Sequence, residues 1–195
     1  NAEQHEIARI LRENSIELRK LIEGLLNYSA VHAQASFLDA KIVQLRDVAK
    51  RVVNDRKLAL VARSIRVDFN AENVTAFCDE EKIRAMLDNL LSNAVKFSPE
   101  RGIITVKVYK DRSEAVLEVA DQGPGIPAPE REKVFEAFYR GTDAPLAAIK
   151  GSGLGLSIVK EYVNLHKGRI EILDGPGAHF RIRIPRKREQ REAAA

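Results

Sequence analysis

The chain has 195 residues, 45% hydrophobic and 31% charged side chains and a formal net charge of +4, the balance of a folded globular protein. Its single cysteine, Cys78, excludes an internal disulfide framework and with it the small secreted scaffolds. No apolar run approaches the roughly 20 residues of a spanning helix, the first residues carry no signal-peptide pattern, and four histidines with one cysteine lack the spacing of a structural zinc site.

Residues 1–34 read as one long helix. Ile7, Leu11, Asn14, Leu18, Leu21, Leu25 and Tyr28 fall on heptad positions a and d, and all but Asn14 are large and apolar. One helix cannot bury such a stripe alone, so partner helices are expected; the other reading is a helix lying on its own domain. Residues 33–39 lose the helical period and read as a linker. Residues 45–64 are helical again, and 66–70 and 74–78 are short strands. Asp79 caps a helix that runs to Phe97, with Pro99 just past its end. Residues 103–109 and 115–120 alternate like strands around the turn Lys110-Asp111-Arg112-Ser113. A Gly/Pro loop covers 121–129, a short helix 130–135, a polar stretch 140–150 and a helix 154–166. Residues 169–173 and 179–184 close as a hairpin. This order predicts an α+β fold, a two-layer α/β sandwich preceded by a long bundle-forming helix.

The net charge sits at one end. Arg181, Arg183, Arg186, Lys187, Arg188 and Arg191 face only Glu189 and Glu192 within residues 181–192, and the rest of the chain is neutral. That distribution reads as a solvated basic tail, with an interaction patch as the other reading, and predicts no nucleic-acid surface.

Four segments carry chemistry. In Asp88-Asn89-Leu90-Leu91-Ser92-Asn93-Ala94-Val95-Lys96-Phe97, Asn89, Asn93 and Lys96 share a helix face at i, i+4 and i+7. Carboxamides and an ammonium suit a magnesium–triphosphate, the amide oxygen as a hard ligand and the lysine against phosphate; a merely solvated face would look the same. Asp121-Gln122-Gly123-Pro124-Gly125-Ile126-Pro127 follows a strand. Its glycines permit close backbone approach and its carboxylate can accept from an exocyclic amine such as adenine's, although a tight turn has the same composition. Gly151-Ser152-Gly153-Leu154-Gly155-Leu156-Ser157 opens a helix and offers free N–H groups to an anion. It is neither a Walker A loop nor the dinucleotide fingerprint, and a flexible loop is the alternative. In Val134-Phe135-Glu136-Ala137-Phe138-Tyr139-Arg140, aromatics can anchor the base of the polar stretch and Arg140 can reach a terminal phosphate; core aromatics with a surface arginine is the other reading.

Together, in this order and with these gaps, the segments resemble the N, G1, F and G2 boxes of sensor histidine kinases, whose ATP-binding domain has the Bergerat fold. Residues 14–29 are similar to the second helix of their dimerisation-and-phosphotransfer domain, and the membrane sensor kinases of the QseE/GlrK type are the nearest flavour. The resemblance spans about residues 3–185. It implies three parts: residues 1–34 as that second helix, 35–185 as the catalytic domain and 186–195 as a disordered tail. It implies ATP and Mg²⁺ as cofactors, with Asn93 on the metal and Asn89 at phosphate or metal water. Lys96 and Arg140 become the catalytic cations, Arg140 at the γ-phosphate. Phe97, Asp121, Gly123 and Gly125 surround the base, and Ile126 and Phe135 also belong to the nucleotide site. Gly151, Ser152, Gly153, Leu154, Gly155 and Leu156 surround the phosphates, and residues 142–150 form an ATP lid.

The same resemblance implies a response-regulator receiver domain as partner and a homodimer through the bundle. It implies a cytoplasmic portion of an inner-membrane-anchored kinase, with membrane contact only through segments absent from this chain. The family's phosphoacceptor sits in a His-Glu-x-x-x-Pro setting. His5-Glu6 lacks the proline, and its surroundings already match the second helix. The expectation is therefore a chain without the first helix, which binds ATP and does not autophosphorylate. Two alternatives remain: an ATP-hydrolysing relative of the gyrase, mismatch-repair or chaperone type, or a degenerate kinase acting as a non-enzymatic interaction module. Hydrolysing relatives carry a glutamate four residues before the metal-binding asparagine; here that residue is Asn89, and an amide is no general base. Two departures from the pattern are Lys167, where a second glycine often stands, and Ala178-His179-Phe180 in place of a Thr-rich stretch.

Overall fold

The computed structural model describes residues 38–141 and 151–187, with residues 4–9, 11, 12, 15, 19 and 22 of the leading segment. Those leading residues are helical, and Ile7, Leu11 and Ile22 are exposed; Asn14, Leu18, Leu21, Leu25 and Tyr28 of the stripe lie outside the described residues. The body runs β1 (Ala40–Gln44), α1 (Leu45–Asp55), α2 (Lys57–Ala62), β2 (Arg66–Ala71), β3 (Thr75–Asp79), α3 (Glu80–Phe97), β4 (Ile103–Asp111) and β5 (Glu114–Ala120). Two 3₁₀ turns (Ala128–Glu130 and Lys133–Phe135) follow, then α4 (Gly155–Leu165), β6 (Arg169–Leu173) and β7 (His179–Pro185).

Five strands form one sheet in the order β2-β4-β5-β7-β6, while β1 and β3 make a separate antiparallel ribbon. Only β2–β4 is parallel within the large sheet. Successive strand residues point to opposite faces. Ile104, Val106 and Val108 of β4, Leu117 and Val119 of β5, and Phe180, Ile182 and Ile184 of β7 are buried in one core. They share it with Val48 and Val52 of α1, Ile83, Leu87 and Leu91 of α3, and Val159 and Val163 of α4. This is the α+β two-layer sandwich expected from the element order. Each such side chain contributes about 1.5–3 kcal/mol on burial, so helices and sheet cannot separate without losing the platform that carries α3 and α4. Cys78 belongs to this core, and burial pushes its thiol up to about 12, which leaves it unreactive.

Several elements differ from the sequence reading. Strand β1 falls in residues left unassigned after the linker. The helix expected over 45–64 breaks at Arg56, whose φ of −92° and ψ of 2° end α1 and whose guanidinium reaches Asp88 of α3 at 2.7 and 2.5 Å. The expected helix at 130–135 is two 3₁₀ turns. The hairpin turn shrinks to Arg112 and Ser113, with Arg112 at φ 53°. The basic stretch also requires correction. Arg181 and Arg183 are strand residues bonded to Glu118 and Asp111, and the Arg186 carbonyl accepts from Phe77 N–H at 3.0 Å. Cross-strand pairing, invisible to local charge counting, makes these arginines part of the sheet. Residues 188–195 lie outside the described residues.

The face of the sheet away from the helices carries a polar network. Buried Glu118 accepts from Tyr109 at 2.7 Å, from Arg181 at 2.6 Å and pairs with His179 at 3.0 Å. Burial alone would raise its carboxyl, but the bonds from Tyr109, Arg181 and His179 outweigh that and hold it below the usual range.

His166 ties α4 to the start of α3. Its Nδ1 lies 2.6 Å from Tyr162 O, and its Nε2 accepts the Asp79 N–H at 3.1 Å, so the neutral Nδ1–H tautomer satisfies both. Asp79 in turn caps α3 through Lys82 N–H and accepts the Asp39 N–H at 3.2 Å. Burial depresses the imidazole below its ordinary value. A base whose folded value is depressed gives stability above its unfolded value, near 6.5, and loses it as pH falls towards the folded value. Stability measured in urea should therefore decline as pH drops from 7 towards 5.5, and His166→Gln should flatten that decline. His166→Ala, which orphans the Asp79 N–H, should cost about 1–3 kcal/mol.

Candidate functional site

The C-terminal half of α3, the end of β5 with its loop, the segment after the second 3₁₀ turn and the N-terminus of α4 enclose a cleft of ≈ 240 Å³. From α3 come Asn89, Asn93, Lys96 and Phe97, in the helical register the sequence predicts, together with Ser92. Ser92 lies three residues after Asn89 and four before Lys96, so the same helix arithmetic reaches it. Asn89 is held from both sides: its Nδ2 donates to Ala85 O at 2.9 Å, and its Oδ1 stands 2.7 Å from where a Cβ on Gly155 would be. Only glycine lets α4 start this close to α3.

Asp121 closes the opposite wall beside Gly125 and Ile126. Its buried carboxylate accepts from Gly123 N–H at 2.8 Å and Ala178 N–H at 3.1 Å, both on Oδ1. That leaves Oδ2 as the acceptor for a ligand donor. Burial pushes this carboxyl above its ordinary value, and the two amide bonds act against the rise. Gly125 has a φ of +75°, a conformation that side chains rarely adopt. Gly123 does not line the cleft. A Cβ there would sit 2.6 Å from Phe97 O, so its role is to let the Asp121 loop close on the end of α3.

The third wall is the glycine loop. Gly151, Ser152, Gly153, Gly155 and Leu156 line the cleft. Leu154 is buried behind them, and its N–H donates to Ser152 Oγ at 3.3 Å. Helix α4 has no side-chain N-cap, whereas α3 has Asp79. An uncapped N-terminus presents N–H donors and the positive end of the helix dipole, a ready seat for an anion. Lys96 and Arg140 are both exposed at the cleft, and Lys96 Nζ lies 4.0 Å from the position of a Cβ on Gly151.

Phe135 stays behind the wall. It meets Phe180 edge-on at 6.4 Å and lies 5.7 Å from Lys160 Nζ. The lining residues missed by sequence reading include Glu130, Tyr139, Ala178 and Phe180. Ala178 and Phe180 arrive only because β7 pairs with β5, placing Phe180 opposite Val119, and no local pattern marks them. Residues 142–150, expected as a lid, lie outside the described residues.

The arrangement joins an anion seat, two cations, two carboxamides and a buried carboxylate within one cleft, a set able to hold a polyphosphate at one end and an amine-bearing base at the other. Among the described residues no cluster of three His, Cys, Asp or Glu side chains is placed to hold a metal ion, and no helix is long and apolar enough to cross a membrane.

Comparison with known proteins gives the family and the fold. Residues 78–188 match the family described as histidine kinase-, DNA gyrase B-, and HSP90-like ATPase. The sensor histidine kinase GlrK of Escherichia coli (strain K12) is 32% identical over 185 residues, covering 94% of this chain and 39% of that protein; the chain thus spans about two fifths of that relative. Among solved structures, full-length ShkA in complex with AMPPNP superposes with a TM-score of 0.79 at 26% identity, covering 95% of this chain and 39% of that one. Histidine kinase ThkA in complex with the response regulator protein TrrA gives a TM-score of 0.76 at 24% identity, covering 93% and 51%, a likeness of fold.

Proposed function

The chain belongs to the histidine kinase-, DNA gyrase B-, and HSP90-like ATPase family, and from that premise we propose that it is the ATP-binding catalytic part of a sensor histidine kinase. One observation carries the reading: the uncapped start of α4 shares one cleft with Asn93, Lys96, Arg140 and the buried carboxylate of Asp121. Asp121 would accept from the adenine amine, with Gly125 and Ile126 shaping the base pocket and Phe97 beside it. The loop from Gly151 to Leu156, with Lys96 and Arg140, would neutralise the phosphates.

The donor set fits a Mg²⁺ ion shared with phosphate oxygens, since Asn93 offers a hard amide oxygen and Asn89 lies one helical turn away. When bound, the ion would neutralise charge on the β- and γ-phosphates. The chain's own residues orient the triphosphate in line with an incoming imidazole nitrogen. The nitrogen–phosphorus bond forms as the bond to the β-phosphate oxygen breaks, and ADP leaves with the electron pair. Asn89, whose Nδ2 donates to Ala85 O, is an amide and holds no base to activate water, which favours transfer over hydrolysis.

The acceptor histidine would stand on a partner helix outside this chain, with residues 1–34 as the second helix of the dimerising hairpin and 35–185 as the catalytic domain. The phosphoryl group would then pass to an aspartate of a response regulator. The parent would be a dimeric kinase anchored in the inner membrane by segments outside this chain, with this part in the cytoplasm.

Calorimetry with Mg·ATP tests the reading, alongside an autophosphorylation assay. Binding in the micromolar to millimolar range, without acid-labile phosphohistidine, is expected. Asn93→Ala should weaken Mg·ATP by about tenfold and abolish the difference between Mg²⁺ and EDTA buffers. Absence of binding would instead indicate a non-enzymatic module, and phosphate mapped to His5 would overturn the assignment of the leading helix.

A further inference from the structure

Helix α3 ends in a way its own backbone cannot satisfy. The Ala94 carbonyl accepts from Ser98 N–H at 2.9 Å, but the next donor in the ladder would be residue 99. That residue is Pro99, which has no N–H. The chain also leaves the helix at Ser98, with ψ at 147°, so the donor that would serve Lys96 O turns away as well. A helix end of this kind frays unless other donors reach it.

Arg63, in the turn after α2, supplies them. Its Nη1 donates to Val95 O and, at 2.8 Å, to Lys96 O, and its Nη2 donates to Ser98 O at 2.8 Å. One planar guanidinium thus spans three carbonyls of the last turn, which a lysine ammonium cannot match in geometry. Its positive charge also faces the negative end of the helix dipole. The arginine is itself anchored, because its own carbonyl accepts from Arg101 N–H at 3.1 Å and Arg66 N–H donates to Gly102 O at 3.0 Å. The turns after α2 and α3 are therefore held together, which fixes where the Arg63 side chain starts.

The turn so capped carries Lys96 and Phe97, both in the cleft, whereas Arg63 is not among the cleft's lining. We propose that Arg63 is a positioning residue for the nucleotide site: it replaces the donors that the helix end loses at Pro99 and beyond and keeps Lys96 and Phe97 where phosphate and base need them. The proposal rests on the reading of the cleft as an ATP site.

The test is Mg·AMPPNP affinity by calorimetry at 15 °C for wild type, Arg63→Gln, Arg63→Lys and Arg51→Gln. The last breaks an ion pair with Glu80 at the far end of α3. Circular dichroism establishes that each variant is folded at that temperature, and hydrogen exchange of residues 95–98 is followed without nucleotide. Arg63→Gln should bind roughly tenfold more weakly with faster exchange at Lys96, Phe97 and Ser98. Arg63→Lys should recover part of the affinity, and Arg51→Gln should bind as wild type. A purely structural role would lower the melting temperature and leave the affinity of the folded protein unchanged. Wild-type affinity in Arg63→Gln overturns this proposal alone. Absence of binding by the wild type overturns the nucleotide reading and this proposal with it.

Discussion

Asp121→Asn is expected to keep the fold and lose the ligand. The asparagine Oδ1 can still accept from Gly123 and Ala178 N–H, so the loop closes as before. Its Nδ2, however, is a donor where the carboxylate had a free lone pair. Against an adenine amine this places donor against donor in a buried site, a mismatch that costs two or more orders of magnitude in binding. Mg·ATP affinity should fall about 100-fold or more by calorimetry.

Stability should move the other way. The Asp121 carboxyl is raised in the fold by burial, so its favourable contribution exists below the unfolded carboxylate value and is lost as pH rises through the folded one. At pH 7 the wild type therefore carries a buried charge that asparagine removes, and the variant should unfold at the same urea concentration or a higher one. A variant that still binds within about threefold of wild type would remove Asp121 from the base pocket.

Gly153→Ala should damage both fold and site. Gly153 has a φ of +71°, and a Cβ there would lie 2.7 Å from Phe138 C and 2.9 Å from its Cα and O. These are backbone atoms and cannot rotate aside. Phe138 is already at φ 67°, unusual for a bulky residue, and its N–H donates to Gly153 O at 3.0 Å. The substitution must therefore push apart the two strands of chain that meet at the edge of the cleft. A loss of about 1–3 kcal/mol in stability is expected, with roughly tenfold to hundredfold weaker Mg·ATP binding as the loop amides move. Gly151→Ala is the contrast in stability: among the described residues the atom nearest its Cβ is Lys96 Nζ, 4.0 Å away, and the change should stay within about 0.5 kcal/mol. Gly153→Ala with wild-type melting and affinity would show that Phe138 and Gly153 separate freely.

Most of the binding wall on α3 was legible in advance because a helix has one period. Once Asp79 and Pro99 bracket the segment, Asn89, Asn93 and Lys96 must share a face, and Ser92 with them. The glycine loop was legible for a similar reason: small residues ahead of an apolar helical run leave N–H groups at its start. What escaped were the residues that depend on strand pairing or on turns meeting across the molecule. Ala178 and Phe180 reach the cleft through the β5–β7 register. Arg181 and Arg183 look like part of a basic tail and are ion-paired sheet residues. The break at Arg56 has no local breaker and is marked by the pair it makes with Asp88, 32 positions away.

Glycine roles divide along the same line. From sequence, Gly123 and Gly125 are equivalent: two glycines in one loop that admit a ligand. In the fold only Gly125 lines the cleft, and Gly123 is small because Phe97 O occupies the space where its side chain would be.

The α+β class, the capped helix bearing the amides and the glycine loop ahead of α4 are legible in the residues alone. These follow from periodicity and local backbone preference, which act over a few residues. The partners are set by the fold: which carbonyls Arg63 caps, which amides hold Asp121, which histidine nitrogen stays unprotonated and which arginines are paired. Those depend on contacts between distant segments, where a hydrogen bond turns on a few tenths of an ångström that no local pattern encodes.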